Sequence, residues 1–94
     1  MEKKIEDKCF SRFEELKKAV LLESNRQLEK WGKQRVSPFE WLCYLGEEVG
    51  ELNTAIMDFE YRRSDKQEDI TKEAIHVATL ALKIAEMYLA EVKK

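Results

Sequence analysis

Residues 37–59 read SPFEWLCYLGEEVGELNTAIMDF and predict a long amphipathic helix with a well-defined start. Ser37 is a suitable N-cap, Pro38 fits the first helical position, and Glu40 stands where a capping box needs its carboxylate. Apolar residues then recur every three or four positions, as expected for one buried face of a helix. They are Leu42, Leu45, Val49, Leu52, Ile56 and Phe59. We expect the helix to end near residues 61–64.

Two further helices are predicted, one on each side of this segment. The first covers about residues 5–30, where apolar side chains recur at steps of three and four, and Gly32 is expected to end it. The charged stretch at residues 62–68 is expected to form a turn, and the third helix then covers about residues 68–92. This helix carries two adjacent apolar seams, which together span roughly half of its circumference. They are Ile70, Ala74, Val77, Ala81, Ile84 and Tyr88, and beside them Ile75, Ala78, Leu82, Ala85, Leu89 and Val92.

These patterns predict an all-α fold with a single domain over residues 1–94, since 94 residues suffice for one core and not for two. A three-helix domain of this size has too little interior to cover the wide apolar face of the third helix. We therefore expect a bundle of three or four helices per chain that is completed by homo-oligomerisation, as a homodimer or homotetramer. The alternative is a monomeric bundle with one deeply buried helix. Trp41 is expected to pack in the core or in an interface.

Charge and composition narrow the classes of partner. A net charge of −2 supplies no strong basic field for long nucleic acid, although it leaves a single bound nucleotide possible. No apolar run approaches the roughly 20 residues that span a bilayer, and residues 1–8 lack the apolar core of a secretory signal. Cys9 and Cys43 lack a CxxC spacing and are expected to be reduced thiols. We therefore expect a cytoplasmic protein that contacts neither membrane nor long nucleic acid.

The second helix carries an acidic turn formed by Glu47, Glu48 and Glu51. Spacings of three and four residues bring these like charges together on the helix surface, where they repel. Residues 36–61 contain no Lys or Arg, so the helix supplies no cation of its own. A bound divalent ion would neutralise the carboxylates, and hard oxygen ligands favour magnesium or manganese. Taken alone, the pattern is a weak signal, because ordinary solvated acidic helix faces are common.

The third helix adds two potential ligands, Glu73 and His76, in a Glu-x-x-His spacing. Glu73 lies at the edge of the apolar face. If the short connection makes the second and third helices pack antiparallel, Glu73 can face the acidic turn. The alternative for His76 is a histidine at the helix rim with no ligand role.

These elements resemble the motif of MazG-like all-helical nucleotide pyrophosphohydrolases, which carry EExxE on one helix and ExxD on the next. Residues 47–51 match the first part in full, and residues 73–76 match the second part except that His76 stands where the family usually has Asp. The segments RQLEKWGKQ (26–34), PFEWL (38–42) and EAIHVATLALKIAE (73–86) also look like a phage- and cassette-type short branch of the family.

The resemblance implies an activity and a ligand set. It implies hydrolysis of a nucleoside triphosphate, a deoxynucleotide or a non-canonical one, to monophosphate and pyrophosphate, with Mg2+ as cofactor and Mn2+ as a possible substitute. Carried over by position, the metal ligands would be Glu47, Glu48, Glu51 and Glu73. His76 leaves three outcomes open, since a neutral imidazole weakens a magnesium site. In the first, His76 ligates manganese or another transition metal. In the second, Asp69 provides the carboxylate instead. In the third, activity is reduced or lost.

Other residues have candidate roles in catalysis or substrate binding. Glu48 could accept the proton of the attacking water. Lys30 and Lys33 could reach phosphate oxygens, although solvated loop charges explain them equally. Trp31 could stack on a base or pack internally, and Gln27 could hydrogen-bond a base.

Two other classes of function compete with this reading. A helical di-iron metalloprotein needs two Glu-x-x-His helices and two further glutamates, which a homodimer would supply from Glu73, His76 and either Glu51 or Glu48 of each chain. A non-catalytic helical oligomerisation or nucleotide-binding module is suggested by the missing family Asp.

Overall fold

The computed structural model of the protein describes residues 9–31 and 37–92, which form three α-helices and no β-strand. The helices are α1 (Phe13–Trp31), α2 (Pro38–Glu60) and α3 (Gln67–Val92). The prediction of an all-helical chain with three helices is therefore confirmed. None of the three combines the length and the apolar character that crossing a bilayer requires.

The start of α2 has the predicted capping box. The Ser37 Oγ accepts a hydrogen bond from the Glu40 backbone N–H at 3.2 Å, and the Ser37 N–H donates to Glu40 Oε1 at 3.3 Å. Pro38 takes the first turn, where its missing N–H costs nothing. Because these contacts use only neighbouring residues, the sequence pattern was sufficient to predict them.

The start of α1 differs from the prediction. The helix begins at Phe13, whereas the apolar pattern predicted a start near Ile5, which lies outside the described residues. Residues 9–12 form a bend and a turn, and the Phe10 ring packs against the Phe13 ring at a centroid distance of 5.8 Å. Two apolar residues three positions apart fit such a turn as well as a helix. This explains why the predicted helix began too early.

The end of α2 is a Schellman motif in which arginine occupies the left-handed position. Arg62 has φ 60°, and its N–H donates to the Phe59 carbonyl at 3.2 Å. The Arg63 N–H donates to the Asp58 carbonyl at 2.8 Å. These two bonds satisfy the last carbonyls of the helix and turn the chain back toward α3. The helix thus ends at the edge of the predicted 61–64 region.

The helix α3 is the central helix of the packed structure. Both α1 and α2 pack against it, and no Cα atoms of α1 and α2 approach within 8 Å of each other. Among the described residues, the buried apolar side chains are Trp41 and Leu80, and Thr79 is buried beside them. Trp41 therefore packs internally, as expected, with its ring edge-on to Tyr44. A core this small leaves much of each helix exposed.

The buried face of α3 includes part of the first predicted apolar seam, since Ile70, Val77 and Ile84 are half-buried, but it also carries polar residues. Glu73 and His76 lie two turns and one turn before Leu80 on the same face, and both are largely buried. Leu82 and Leu89 lie on the opposite face and are 58% and 55% exposed. The inward face of α3 thus combines ligand-type side chains with apolar ones, and the second predicted seam stays open at Leu82 and Leu89 in the single chain.

Replacing Arg62 with glycine should stabilise the fold. A non-glycine residue in the left-handed region costs roughly 1–2 kcal/mol, part of which is offset by the greater backbone entropy that glycine loses on folding. We expect Arg62→Gly to raise the free energy of unfolding by about 0.5–1 kcal/mol in urea titration. Arg63→Gly is the matched control and should lower it, since Arg63 has no positive φ and its side chain pairs with Asp58 at 3.0 Å. Equal effects of the two variants on the free energy of unfolding would contradict the left-handed backbone conformation of Arg62.

Candidate metal centre

Side chains from α2 and α3 converge where the two helices pack. One ligand atom from each of four residues lies within 4.8 Å of the other three. The residues are Glu48, Glu51, Glu73 and His76. The turn at residues 61–66 folds α3 back along α2, which brings the acidic turn of one helix beside the Glu-x-x-His pair of the other. Four of the five predicted metal ligands are thus brought together.

Two carboxylate oxygens in this cluster are buried without a hydrogen-bond donor among the described residues. They are Glu48 Oε2 and Glu73 Oε1. His76 Nδ1 lies 3.4 Å from the first and 2.9 Å from the second, but neither contact has hydrogen-bond geometry. A buried carboxylate oxygen without a partner is costly. A cation between these atoms would supply the missing partner, so the donor set fits a divalent metal ion.

The third carboxylate of the cluster shows the strain of like charges. Glu51 is exposed, and a hydrogen bond shared with Glu73, together with the charge of that carboxylate, raises the pKa of Glu51 above its ordinary value. The cluster therefore favours taking up a positive charge, whether as a proton on Glu51 or as a cation between the carboxylates.

Glu47, the fifth predicted ligand, lies outside the group of four. It lines an open groove between α2 and α3, together with Glu51, Asp69, Lys72 and Glu73. The groove has a volume of about 740 Å³, within the range of roughly 300–1,000 Å³ for small-molecule sites. Asp69, the suggested substitute for the family Asp, also lies along this groove and not in the group of four. Glu47 is thus placed to face a ligand in the groove.

The structure adds a carboxylate that the sequence analysis missed. Glu23 of α1 is only 9% exposed, and its Oε1 lies 3.5 Å from His76 Nε2. Arg26 donates to both of its oxygens at 2.8 Å, and Gln27 Nε2 donates to Oε2 at 2.8 Å. The Arg26 hydrogen bonds, opposed by burial and assisted by Gln27, lower the pKa of Glu23 from 4.5 to about 2. Glu23 therefore stays ionised beside His76.

A sequence signal for Glu23 did exist. Leu16, Val20, Glu23 and Gln27 follow one another at steps of four, three and four residues, and all are at least partly buried. A carboxylate in register with an apolar stripe must have a partner in the fold. The sequence alone did not show that this partner would be His76.

Gln27 and Lys30, the two predicted substrate-binding residues whose side chains the structure describes, do not line the groove. Gln27 accepts a hydrogen bond from Lys83 Nζ at 2.7 Å and donates to Glu23, so its amide links α1 to α3 instead of facing a base. Burial lowers the pKa of Lys83. Lys30 lies exposed in the last turn of α1. The side chain of Trp31 and the whole of Lys33 fall outside the described part of the chain.

Comparison of the chain with protein-family models, with curated proteins and with solved structures found no match. The fold and the cluster therefore characterise the chain as an all-helical protein with a group of carboxylates and an imidazole that could hold a metal ion.

The Glu23 network should make stability depend on acid pH. A carboxyl group whose pKa is lowered by folding stabilises the native state above its ordinary pKa, and this contribution is lost as the pH falls through the folded value. The window for Glu23 runs from 4.5 down to about 2. At neutral pH we expect Glu23→Gln to lose about 1–3 kcal/mol of unfolding free energy relative to the unmodified chain, and near the lower end of the window the two should converge.

The matched control for this measurement is Glu29→Gln, which removes an exposed carboxylate from the same helix. Urea unfolding followed by circular dichroism at a series of pH values gives the comparison. A constant difference between Glu23→Gln and the unmodified chain across the whole window would contradict the network as its cause.

Proposed function

We propose that the protein is a divalent-metal-dependent nucleotide pyrophosphohydrolase of the MazG-like type. The observation that carries the proposal is the convergence of four ligand atoms from α2 and α3 within 4.8 Å of one another. They come from the EExxE turn and from the ExxH pair that resembles ExxD. The proposed reaction cleaves a nucleoside triphosphate, either a deoxynucleotide or a non-canonical one, into monophosphate and pyrophosphate.

The residues that would hold the metal are Glu48, Glu51, Glu73 and His76. When bound, Mg2+ or Mn2+ would neutralise charge on the phosphates and lower the pKa of a coordinated water. Three carboxylates provide the hard oxygen ligands that both ions prefer, and the imidazole nitrogen shifts the preference toward manganese. The two buried carboxylate oxygens without donors support this assignment.

Glu48 is the proposed proton acceptor. Its side chain is 29% exposed, so one end reaches the surface while Oε2 is buried in the cluster. In the proposed step, the oxygen of a water molecule bonds to the α-phosphorus as the bond from that phosphorus to the α–β bridging oxygen breaks. The bridging oxygen keeps the electron pair and leaves with pyrophosphate, and the proton from the water passes to Glu48.

The groove supplies groups that would position the polyphosphate. Lys72 lines it opposite several carboxylates and could donate to a phosphate oxygen. Glu47 and Asp69 also line it and could hold a further divalent cation, which would offset the charge of the phosphates. The triphosphate would then lie along the groove with its α-phosphate beside the four ligand residues.

A homo-oligomer is part of the proposal. The chain exposes 8384 Å² of surface, against about 5,700 Å² for a compact monomer of this size. Its radius of gyration is 15.6 Å, against about 12 Å for a compact domain of this length. Large apolar side chains are exposed on all three helices, among them Leu22, Leu42 and Leu82. A dimer or tetramer would cover them and complete the bundle.

Pyrophosphate release tests the proposed activity. The chain should release pyrophosphate and monophosphate from at least one of the common or damaged nucleoside triphosphates, with Mg2+ or Mn2+ present and not after chelation. Glu48→Gln should lower the rate by about 10²- to 10⁴-fold while circular dichroism shows an unchanged fold, since a positioned base contributes that much. Glu60→Gln, near the end of the same helix, is the control and should keep the full rate.

Several results would contradict the activity. Orthophosphate as the product, or no product from any of the triphosphates with either metal, would exclude a pyrophosphohydrolase. An unchanged rate in Glu48→Gln would exclude the assigned proton acceptor. Iron-dependent absorbance with oxygen consumption would instead support the di-iron alternative.

Light scattering coupled to size-exclusion chromatography tests the assembly. The unmodified chain should elute with the mass of two or four chains. Leu82→Glu combined with Leu89→Glu places charges on the open face of α3 and should yield the mass of one chain, since burying two unpaired charges in an interface is prohibitive. Lys18→Glu reverses an exposed charge on α1 and should leave the mass unchanged. A monomeric unmodified chain would contradict this part of the proposal.

A further inference from the structure

The His76 ring lies between two groups of carboxylates. Its Nδ1 faces Glu73 at 2.9 Å and Glu48 at 3.4 Å, both within the cluster proposed to bind metal. Its Nε2 faces Glu23 at 3.5 Å, on the side of α1. The ring is 15% exposed, so solvent has little access to either nitrogen. The two nitrogens therefore have different surroundings.

The carboxylate on the Nε2 side is held firmly. Arg26 donates to both oxygens of Glu23 and Gln27 donates to one of them, all at 2.8 Å. Lys83 of α3 in turn donates to Gln27 at 2.7 Å, so the network is tied to the helix that carries His76. Three donors and a side chain that is 9% exposed leave Glu23 little freedom to move. It forms a fixed acceptor behind the ring.

An imidazole that binds a metal through one nitrogen carries its proton on the other. The protonated nitrogen commonly donates to a carboxylate, which orients the ring and makes the ligating nitrogen more basic. In this chain the nitrogen near the other candidate ligands is Nδ1, and the nitrogen near an outer carboxylate is Nε2. The placement of the two nitrogens is that of a carboxylate–histidine–metal relay with Glu23 as its outer member, and the 3.5 Å contact of Nε2 would shorten to a hydrogen bond to complete it.

We propose that Glu23 is a positioning residue that turns Nδ1 of His76 toward Glu48 and Glu73 and thereby gives the centre a preference for a nitrogen-accepting transition metal such as Mn2+ or Co2+ over Mg2+. This inference rests on the proposed metal centre and names the class of metal that it takes. Glu23 does not touch the metal or the substrate. It acts through the imidazole, which is the softest of the four ligands.

Metal titration of the full chain without nucleotide tests the inference. Co2+ binding is followed by calorimetry and by visible absorption, and Mg2+ binding by calorimetry. Glu23→Ala should weaken Co2+ binding by about 10- to 100-fold, as loss of an outer partner of a metal-binding histidine does, and should change the cobalt absorption. Mg2+ binding should change much less. Glu23→Gln keeps an acceptor oxygen of the same length and should restore part of the Co2+ affinity, and Glu29→Ala should change neither metal.

A double-mutant cycle separates positioning from a general effect on the fold. In a His76→Asp background the ring is absent, so adding Glu23→Ala should change Co2+ affinity by no more than about twofold. Circular dichroism before each titration verifies that the variants are helical. Equal losses with and without His76, or equal losses for Co2+ and Mg2+, would overturn the inference.

The same titrations distinguish this inference from the proposed activity. Glu23-dependent Co2+ binding without pyrophosphate release from any triphosphate would contradict the activity and leave the inference standing. Pyrophosphate release by a chain whose metal affinities do not change in Glu23→Ala would contradict the inference alone. No Co2+ binding by the unmodified chain would overturn the inference as well.

Discussion

The repulsion between carboxylates of α2 and α3 is the constraint on which the rest of the structure depends. Glu48, Glu51 and Glu73 lie together although residues 36–61 contain no Lys or Arg, and Lys72 of α3 offsets only part of the repulsion felt by Glu51. Packing of α2 and α3 must outweigh this repulsion. Residues that destabilise a fold and are nevertheless held together commonly belong to functional sites. The proposed metal ion would remove this repulsion.

The polar residues on the inward face of α3 follow from the same constraint. To present Glu73 and His76 to the acidic turn, the helix must direct that face toward α1 and α2, and the apolar seam that includes Leu82 and Leu89 then faces away. The contacts within one chain are accordingly rich in polar links, such as the one between Gln27 and Lys83. In the proposed homo-oligomer a second copy would cover this exposed seam. The site and the proposed assembly would then both depend on the orientation of this one helix.

Features of this structure that depend on neighbouring residues could be predicted from the sequence, whereas most long-range contacts could not. The three helices and the Ser37 capping box depend on neighbouring residues, and the sequence predicted them. The acidic turn and Glu73 were also predicted to meet, because a short connection leaves adjacent helices few ways to pack. The contact between Glu23 and His76 joins helices that are not consecutive, and spacing along the chain does not show which faces of such helices meet. For the same reason Gln27 was predicted to bind a base, whereas it links two helices.

His76 stands where the MazG-like motif that the chain resembles has Asp, and its role is best judged together with Glu23. Compared with an Asp, a neutral imidazole provides one negative charge fewer among the four proposed ligands and would by itself weaken a site for a hard cation. Glu23 places a carboxylate on the far side of the His76 ring. The pair of His76 and Glu23 therefore carries the same negative charge as one Asp, but at a greater distance from the cluster. Arg26 partly offsets that charge. The proposed centre would thus hold its cation less by net charge and more by the basicity of one nitrogen, which is a reason to expect a change of metal and not simply a loss of binding.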